Sequence, residues 1–231
     1  MCSCLGEYAS RTSIGQKKER DRCRYPEKVW TFHRGDFAVT SNPSSEHQDA
    51  RSIVFLPGSK RSDSVNVALA KEAAAVATAQ GLTASVVDLN GYEMPIYDGD
   101  CEVEVGIPEA AVRLHDVLVA SDLVVFVCPE YNGGPTPLLK NAIDWVTRVK
   151  KRPLEAKTVG LMCATPGGGG GVTGLSVMSV IVRSIRAHES VDALPVGNAR
   201  TRLAERDPVL QAELDVFIES LVAALPGNVP T

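Results

Sequence analysis

Much of what this sequence says lies in what it lacks. No apolar run approaches the roughly 18–20 residues that a bilayer-spanning helix needs. The longest, Leu123–Cys128, has the length of a buried strand, so no membrane segment is expected. Basic residues are outnumbered, 24 Lys and Arg against 28 Asp and Glu for a formal net charge of −4, which leaves no basic footprint for nucleic acid. The 6 cysteines form no C-x-x-C pair, and Cys2-Ser3-Cys4 has the wrong spacing for a zinc half-site. They read as free thiols of a reducing compartment, and the protein as cytoplasmic. His33, His47, His115 and His188 show no metal-ligand spacing. A nucleophile elbow, a Ser-His-Asp arrangement and a glycosidase-like carboxylate pair are missing. So are G-x-x-x-x-G-K-[ST] and G-x-G-x-x-G, which disfavours P-loop and dinucleotide-binding sites.

Residues 1–50 lack any sustained hydrophobic period. Lys17-Lys18-Glu19-Arg20-Asp21-Arg22 is a solvated charge cluster, and Asn42 to Asp49 reads as a linker. The stretch has no apolar h-region of a secretory signal, and Glu7, Glu19, Asp21 and Glu27 weigh against a transit peptide. It is expected to be a disordered N-terminal extension or sequence upstream of the true start, two readings that stay open.

From Ser52 the pattern becomes periodic. Ile53-Val54-Phe55-Leu56 predicts a buried strand ending at Pro57-Gly58, followed by a helix capped at Ser64 and stopped at Gly81. A second strand is predicted over Ala84–Leu89, then a loop from Asn90 to Ile107 and a helix opened by Pro108 and ending near Ser121. Leu123–Cys128 is the third strand, apolar throughout as a strand covered on both faces should be. Thr136-Pro137 starts the next helix, with Leu138, Leu139, Ile143, Trp145 and Val146 as its apolar residues. Val159–Ala164 is the fourth strand, Gly167 to Gly171 a flexible loop, and a helix runs from about Leu175 to His188. Val191–Val196 is a short fifth strand. The last helix starts at Asp207-Pro208, turns Leu210, Leu214, Phe217, Ile218, Leu221 and Leu225 to one side, and ends at Pro226-Gly227. Alternating strands and helices predict an α/β three-layer sandwich. Its five-stranded parallel sheet takes the order 2-1-3-4-5, the flavodoxin-like arrangement, whose crevice falls between the first and third strands.

The two loops after those strands carry the chemistry. Gly58-Ser59-Lys60-Arg61-Ser62-Asp63-Ser64-Val65-Asn66 offers short polar donors and a guanidinium at a helix start, which suits a phosphate. Read alone, Ser64 and Asn66 can also serve only to cap and solvate the helix. Pro129-Glu130-Tyr131-Asn132-Gly133-Gly134 supplies polar groups and a glycine pair that lets backbone approach a ligand. Phosphate at one end and a flat ring at the other describe a mononucleotide cofactor.

These residues also resemble a known family. G-S-x-R-x-x-S-x-N after the first strand, with P-E-Y-N and L-K-N-A-I-D-W after the third, is similar to the NADPH-dependent FMN reductases, which include quinone, azo-dye and chromate reductases. The resemblance implies an FMN-binding reductase domain over residues 51–226. It also implies NADPH or NADH as co-substrate, a small-molecule electron acceptor, and a homodimer or homotetramer. It places Ser59, Arg61, Ser64, Val65 and Asn66 at the flavin phosphate. Pro129, Glu130, Tyr131, Asn132 and Gly133 then lie along the ribityl chain and ring, with Thr165 and Gly167 completing the pocket. No catalytic acid–base residue and no metal are implied, because the flavin carries the reaction. Lys60 and Gly133-Gly134-Pro135 depart from the family pattern, and residues 1–50 have no counterpart in it. The alternative is a flavodoxin-like electron carrier that docks protein partners; its strongly acidic composition and Thr/Ser-rich first loop are missing here.

Overall fold

The structure, a computed structural model, describes residues 51–225 apart from 150, 151, 156, 186 and 190–192. The expectations for residues 1–50 and for the helix end at Pro226-Gly227 lie outside the described residues.

Strand β1 (Ser52–Pro57) leads through the first loop into α1 (Val65–Ala79), and β2 (Thr83–Val86) follows. Ser64 caps α1 by accepting from the Val67 amide, and the chain leaves the helix through Gly81 at φ +86°. The second strand is shorter than predicted. One more ladder bond, from the Val87 amide to Phe55 O at 2.9 Å, follows Val86; the side chain of Asp88 then accepts from the Asn90 amide and starts a 3-10 turn over Leu89–Gly91. Helix α2 (Gly99–Val105), opened by Asp98 and closed at Gly106 with φ +91°, belongs to a separate compact unit. Helix α3 (Glu109–Ala120) precedes β3 (Leu123–Val127), after which β4 (Glu130–Tyr131) and β5 (Gly134–Pro135) form a small antiparallel hairpin. Helix α4 (Pro137–Val146), β6 (Thr158–Ala164), α5 (Val172–Ser184), β7 (His188–Glu189), β8 (Leu194–Val196), α6 (Ala199–Ala204) and α7 (Pro208–Ala223) complete the described chain.

The main sheet is parallel in the order β2-β1-β3-β6-β7, with Ile53 opposite Leu123 and Val124 opposite Val159. That is the predicted 2-1-3-4-5 order, with one correction at its edge. The fifth position is filled by two short strands: β7 pairs with the start of β6 through His188 opposite Thr158, and β8 with its end through Leu194 opposite Met162. The helix before it was expected to reach His188. It stops at Ser184, where the Ala187 amide donates to Val182 and turns the chain back into the sheet.

Strand alternation divides the apolar residues between two cores. Ile53, Phe55, Val125, Val127 and Met162 face one side with residues of α1 and α7. Val54, Leu56, Val124, Phe126, Leu161 and Cys163 face the other with α3, α4 and α5. Phe55 and Phe126 are wholly buried on opposite faces, each contributing about 1.5–3 kcal/mol of transfer free energy. Among the described residues no helix is long and apolar enough to cross a membrane. Cys128 and Cys163 are free and buried, whereas Cys101 is disulfide-bonded. The latter corrects the all-thiol expectation, since spacing along a chain does not say which cysteines folding brings together.

The amino ends of the central strands are fastened by side chains. The Ser52 amide and hydroxyl donate to Asp122 Oδ2 at 2.7 and 2.8 Å, and the Asp122 amide donates back to Ser52 Oγ at 3.0 Å. Lys157 Nζ donates to the carbonyls of Val119 and Ser121.

Candidate functional site

Three loops meet at the opposite, carboxyl ends of the strands, because the sheet ladder runs on into them. The Gly58 amide donates to Val127 O at 2.9 Å, Cys128 to Met162 O at 2.7 Å, and Thr165 to Val196 O at 3.0 Å. A further bond joins the first two loops directly. Thr136 Oγ1 donates to Gly58 O at 2.8 Å while accepting from the Leu139 amide, so the cap of α4 also sets the start of the first loop.

In the first loop, the Arg61 amide donates to Ser59 Oγ and the Val67 amide to Ser64 Oγ, both at 3.3 Å. Each hydroxyl thus has an occupied lone pair and keeps its own proton to donate. Among the described residues the Val65 and Asn66 amides are not taken by the Ser64 cap, and they lie at the positive end of α1. Arg61 is exposed and forks onto Asp63, with Nη2 at 2.9 Å from both carboxylate oxygens and Nε at 3.1 Å from Oδ1. That hydrogen-bonded guanidinium holds the Asp63 carboxyl below its usual range.

Asn66 is turned away from the loop. Its Nδ2 donates to Ala164 O at 2.8 Å and its Oδ1 accepts from Ala164 N at 2.8 Å, with the residue 4% exposed. The reason lies in the sheet. Ala164 points its amide and carbonyl to the same side as Met162, but β3 has by then ended and diverged into the second loop. A buried polar pair without a partner would cost several kcal/mol, and the Asn66 amide supplies both bonds. Asn66 therefore positions α1 against β6, leaving its backbone amide as its group toward the loop.

The second loop is a two-residue hairpin. Asn132 at φ +52° and Gly133 at φ +78° are both left-handed, as a type I′ turn requires. The Asn-Gly pair is the local signal for it, rather than the Gly133-Gly134 pair expected to bring backbone close to a ligand. Tyr131 is half exposed at the hairpin and Pro129 is buried. The Glu130 carboxylate reaches across to α5 and accepts from the Gly174 amide at 2.7 Å. Helix α5 starts at Gly171, which has no side chain to cap it, and Glu130 provides that cap from another element.

The glycine-rich third loop was expected to be flexible, yet it is tied at several points. Thr165 Oγ1 donates to Gly167 O and accepts from the Gly170 amide, both at 2.9 Å, while the Asn198 amide donates to Gly167 O at 2.8 Å. Gly171, at φ +73°, lies so close to β6 that a Cβ there would come within 2.1 Å of Cys163 Sγ. By contrast, a Cβ at Gly167, Gly168 or Gly169 would meet open space, so this rim leaves room beside the crevice. Burial pushes the Cys128 thiol up to about 12 and the Cys163 thiol to about 11. Both are neutral at physiological pH and offer no thiolate to the site.

The predicted residues thus assemble at one edge in distinct roles. Ser59, Arg61, Ser64 and the amides of Val65 and Asn66 form a donor set that suits a phosphate monoester. The Arg61 guanidinium already donates to one oxyanion, the Asp63 carboxylate. The Glu130 and Asn66 side chains each tie one loop to another part of the fold, and the Thr165 side chain ties the third loop within itself. Asn141 and Trp145 explain the rest of the L-K-N-A-I-D-W segment. Both donate to Pro95 O at 2.7 Å, and Asn141 Oδ1 accepts from Tyr97 N at 2.8 Å, so α4 pins the segment after β2.

A family model described as NADPH-dependent FMN reductase matches residues 51–201. The chain is 33% identical over 115 residues to an NAD(P)H-dependent FMN reductase of Pseudomonas aeruginosa, covering 50% of this chain and 60% of that one. It is 35% identical over 119 residues to a quinone reductase of Escherichia coli K12, covering 52% and 62%. The chain therefore spans less than two thirds of the length of these curated relatives. Among solved structures it superposes on FerB, a flavoenzyme NAD(P)H:(acceptor) oxidoreductase from Paracoccus denitrificans. There the TM-score is 0.59 at 23% identity, with 76% of this chain and 100% of that one covered, a likeness of fold.

Proposed function

Because this chain belongs to the NADPH-dependent FMN reductase family, we propose that it is an FMN-dependent oxidoreductase, moving a hydride from NAD(P)H to bound flavin and then electrons to a small acceptor. Arg61, the Ser59 and Ser64 hydroxyls and the first amides of α1 hold the phosphate. The hairpin from Pro129 to Gly133 lies along the ring, and the third loop from Thr165 to Gly167 forms the facing wall. Glu130, Asn66 and Thr136 keep these loops in register and do not touch the reacting atoms. The acceptor class is quinone, free flavin, azo compound or metal oxyanion. The protein acts as a homodimer or homotetramer in the cytoplasm.

The observation that carries this reading is the donor set of the first loop, joined through Thr136 and Gly58 to the hairpin. Its test is Arg61→Ala. A charge-assisted contact is worth roughly 1.5–3 kcal/mol, so FMN affinity should fall by about one to two decades with the circular dichroism spectrum unchanged. Unaltered FMN affinity removes Arg61 from the site. Anaerobic NADPH should bleach the bound flavin of the wild-type chain; persistent colour would favour an electron carrier and overturn the enzyme reading.

A further inference from the structure

The first loop contains a feature that phosphate binding alone does not call for. Asp63 places a carboxylate in the middle of the anion site, on the guanidinium that the functional reading assigns to the flavin phosphate. The same carboxylate is reached by a second guanidinium, with Arg200 Nη2 at 3.7 Å from Asp63 Oδ2. Arg200 stands on α6, whose first residue, Ala199, donates its amide to Thr165 O at 2.9 Å. The Asp63–Arg200 pair therefore joins the first loop to α6, which is itself bonded to the third loop. Arg202, two residues on, is engaged elsewhere, with Nε at 2.6 Å from Asp207 and Nη2 at 2.9 Å from Glu213. The side chains of Arg61, Asp63 and Arg200 are 65%, 55% and 64% exposed, so they are free to exchange partners.

Resting on the functional reading above, we infer that Asp63 is a built-in competitor of the flavin phosphate. It occupies the Arg61 fork in the free protein, passes to Arg200 when a phosphate takes that fork, and so sets how strongly the site prefers FMN over riboflavin. A carboxylate within a few ångströms of a bound dianion repels it, and this repulsion is screened by salt because the groups are exposed. Arg200 opposes the repulsion by drawing Asp63 off. It is a positioning residue that acts through Asp63.

The test titrates FMN and riboflavin against the full chain by quenching of flavin fluorescence. Asp63→Asn should tighten FMN about fivefold to tenfold at low ionic strength, leave riboflavin unchanged, and lose most of that gain at high salt. Arg200→Gln should weaken FMN about twofold to fivefold in the wild-type chain and have no effect once Asp63 is Asn. Asp63→Ser, which also removes the charge, repeats the measurement should the amide form new bonds. Weaker or unchanged FMN binding in both Asp63 variants, or an equal shift for riboflavin, overturns the inference. A persistent Arg200→Gln effect in the Asp63→Asn chain makes Arg200 a direct phosphate ligand and overturns its assigned role. Failure of the wild-type chain to bind FMN would remove the functional reading and this inference together, whereas normal binding with an unchanged FMN-to-riboflavin ratio removes the inference alone.

Discussion

The same central strands end in opposite ways at the two edges of the sheet. At the amino edge, charged side chains close the structure: Asp122 is wrapped by the Ser52 amide and hydroxyl, and Lys157 binds the carbonyls at the end of α3. At the carboxyl edge, backbone groups stay presented on loops held by long-range bonds, as between Asn66 and Ala164 or Glu130 and Gly174. An edge whose donors are consumed internally contributes to stability. An edge whose loops are fixed from behind keeps donors aimed outward for a ligand, without loop ordering at the moment of binding.

The largest effect is expected of Gly171→Ala. The new Cβ would sit 2.1 Å from Cys163 Sγ on a residue at φ +73°. Strain and overpacking together should cost about 3–4 kcal/mol, read as a lower urea midpoint and lost flavin binding. Cys163→Ala in the same chain should recover part of it. Next is Asn66→Ala, which strips the partners from the Ala164 amide and carbonyl. A loss of about 2–3 kcal/mol is expected, together with weaker FMN binding, because α1 loses its tie to β6. A fall in stability with FMN affinity intact would show that the loop does not depend on this tie.

Gly133→Val places a β-branched residue at φ +78° in the hairpin. The nearest atom to a Cβ there is Thr173 Cγ2 at 3.5 Å, so backbone strain of about 1–2 kcal/mol should dominate over any clash. Flavin content should drop while the sheet, followed by circular dichroism, survives. The mildest change tests the other edge. Asp122→Ala should cost about 1 kcal/mol and leave FMN affinity as it was. Hydrogen bonds from Ser52 hold the Asp122 carboxyl below its ordinary value of 3.8. A depressed folded-state pKa means that this stability is fully present above the ordinary value and is lost as pH falls through the lower, folded one. Acid titration of the unfolding midpoint should therefore be shallower below pH 3.8 in the variant. An effect on FMN binding would show that the two edges are coupled through the strands.

Local chemistry determined a great deal of this protein from its sequence. Apolar runs and helical periods predict the alternation of strands and helices, and Ser64, Thr136 and Asp207 mark helix starts where the structure has them. Both loops of the candidate site stand out in the sequence because each follows a buried strand. The Asn132-Gly133 turn was legible too, from a dipeptide whose left-handed preference is intrinsic. Only the tertiary structure decided the roles within those loops. Asn66 reads as a polar residue at a helix start, and it becomes a structural bridge because β3 leaves the sheet before Ala164 is paired. Glu130 reads as a residue along the ring, and in the fold its carboxylate also caps α5, which begins on a glycine. Arg200 carries no motif, and it reaches Asp63 because α6 is bonded to Thr165. Each of these depends on a backbone group that loses its neighbour only when distant segments are packed together, and no local period or propensity registers that loss.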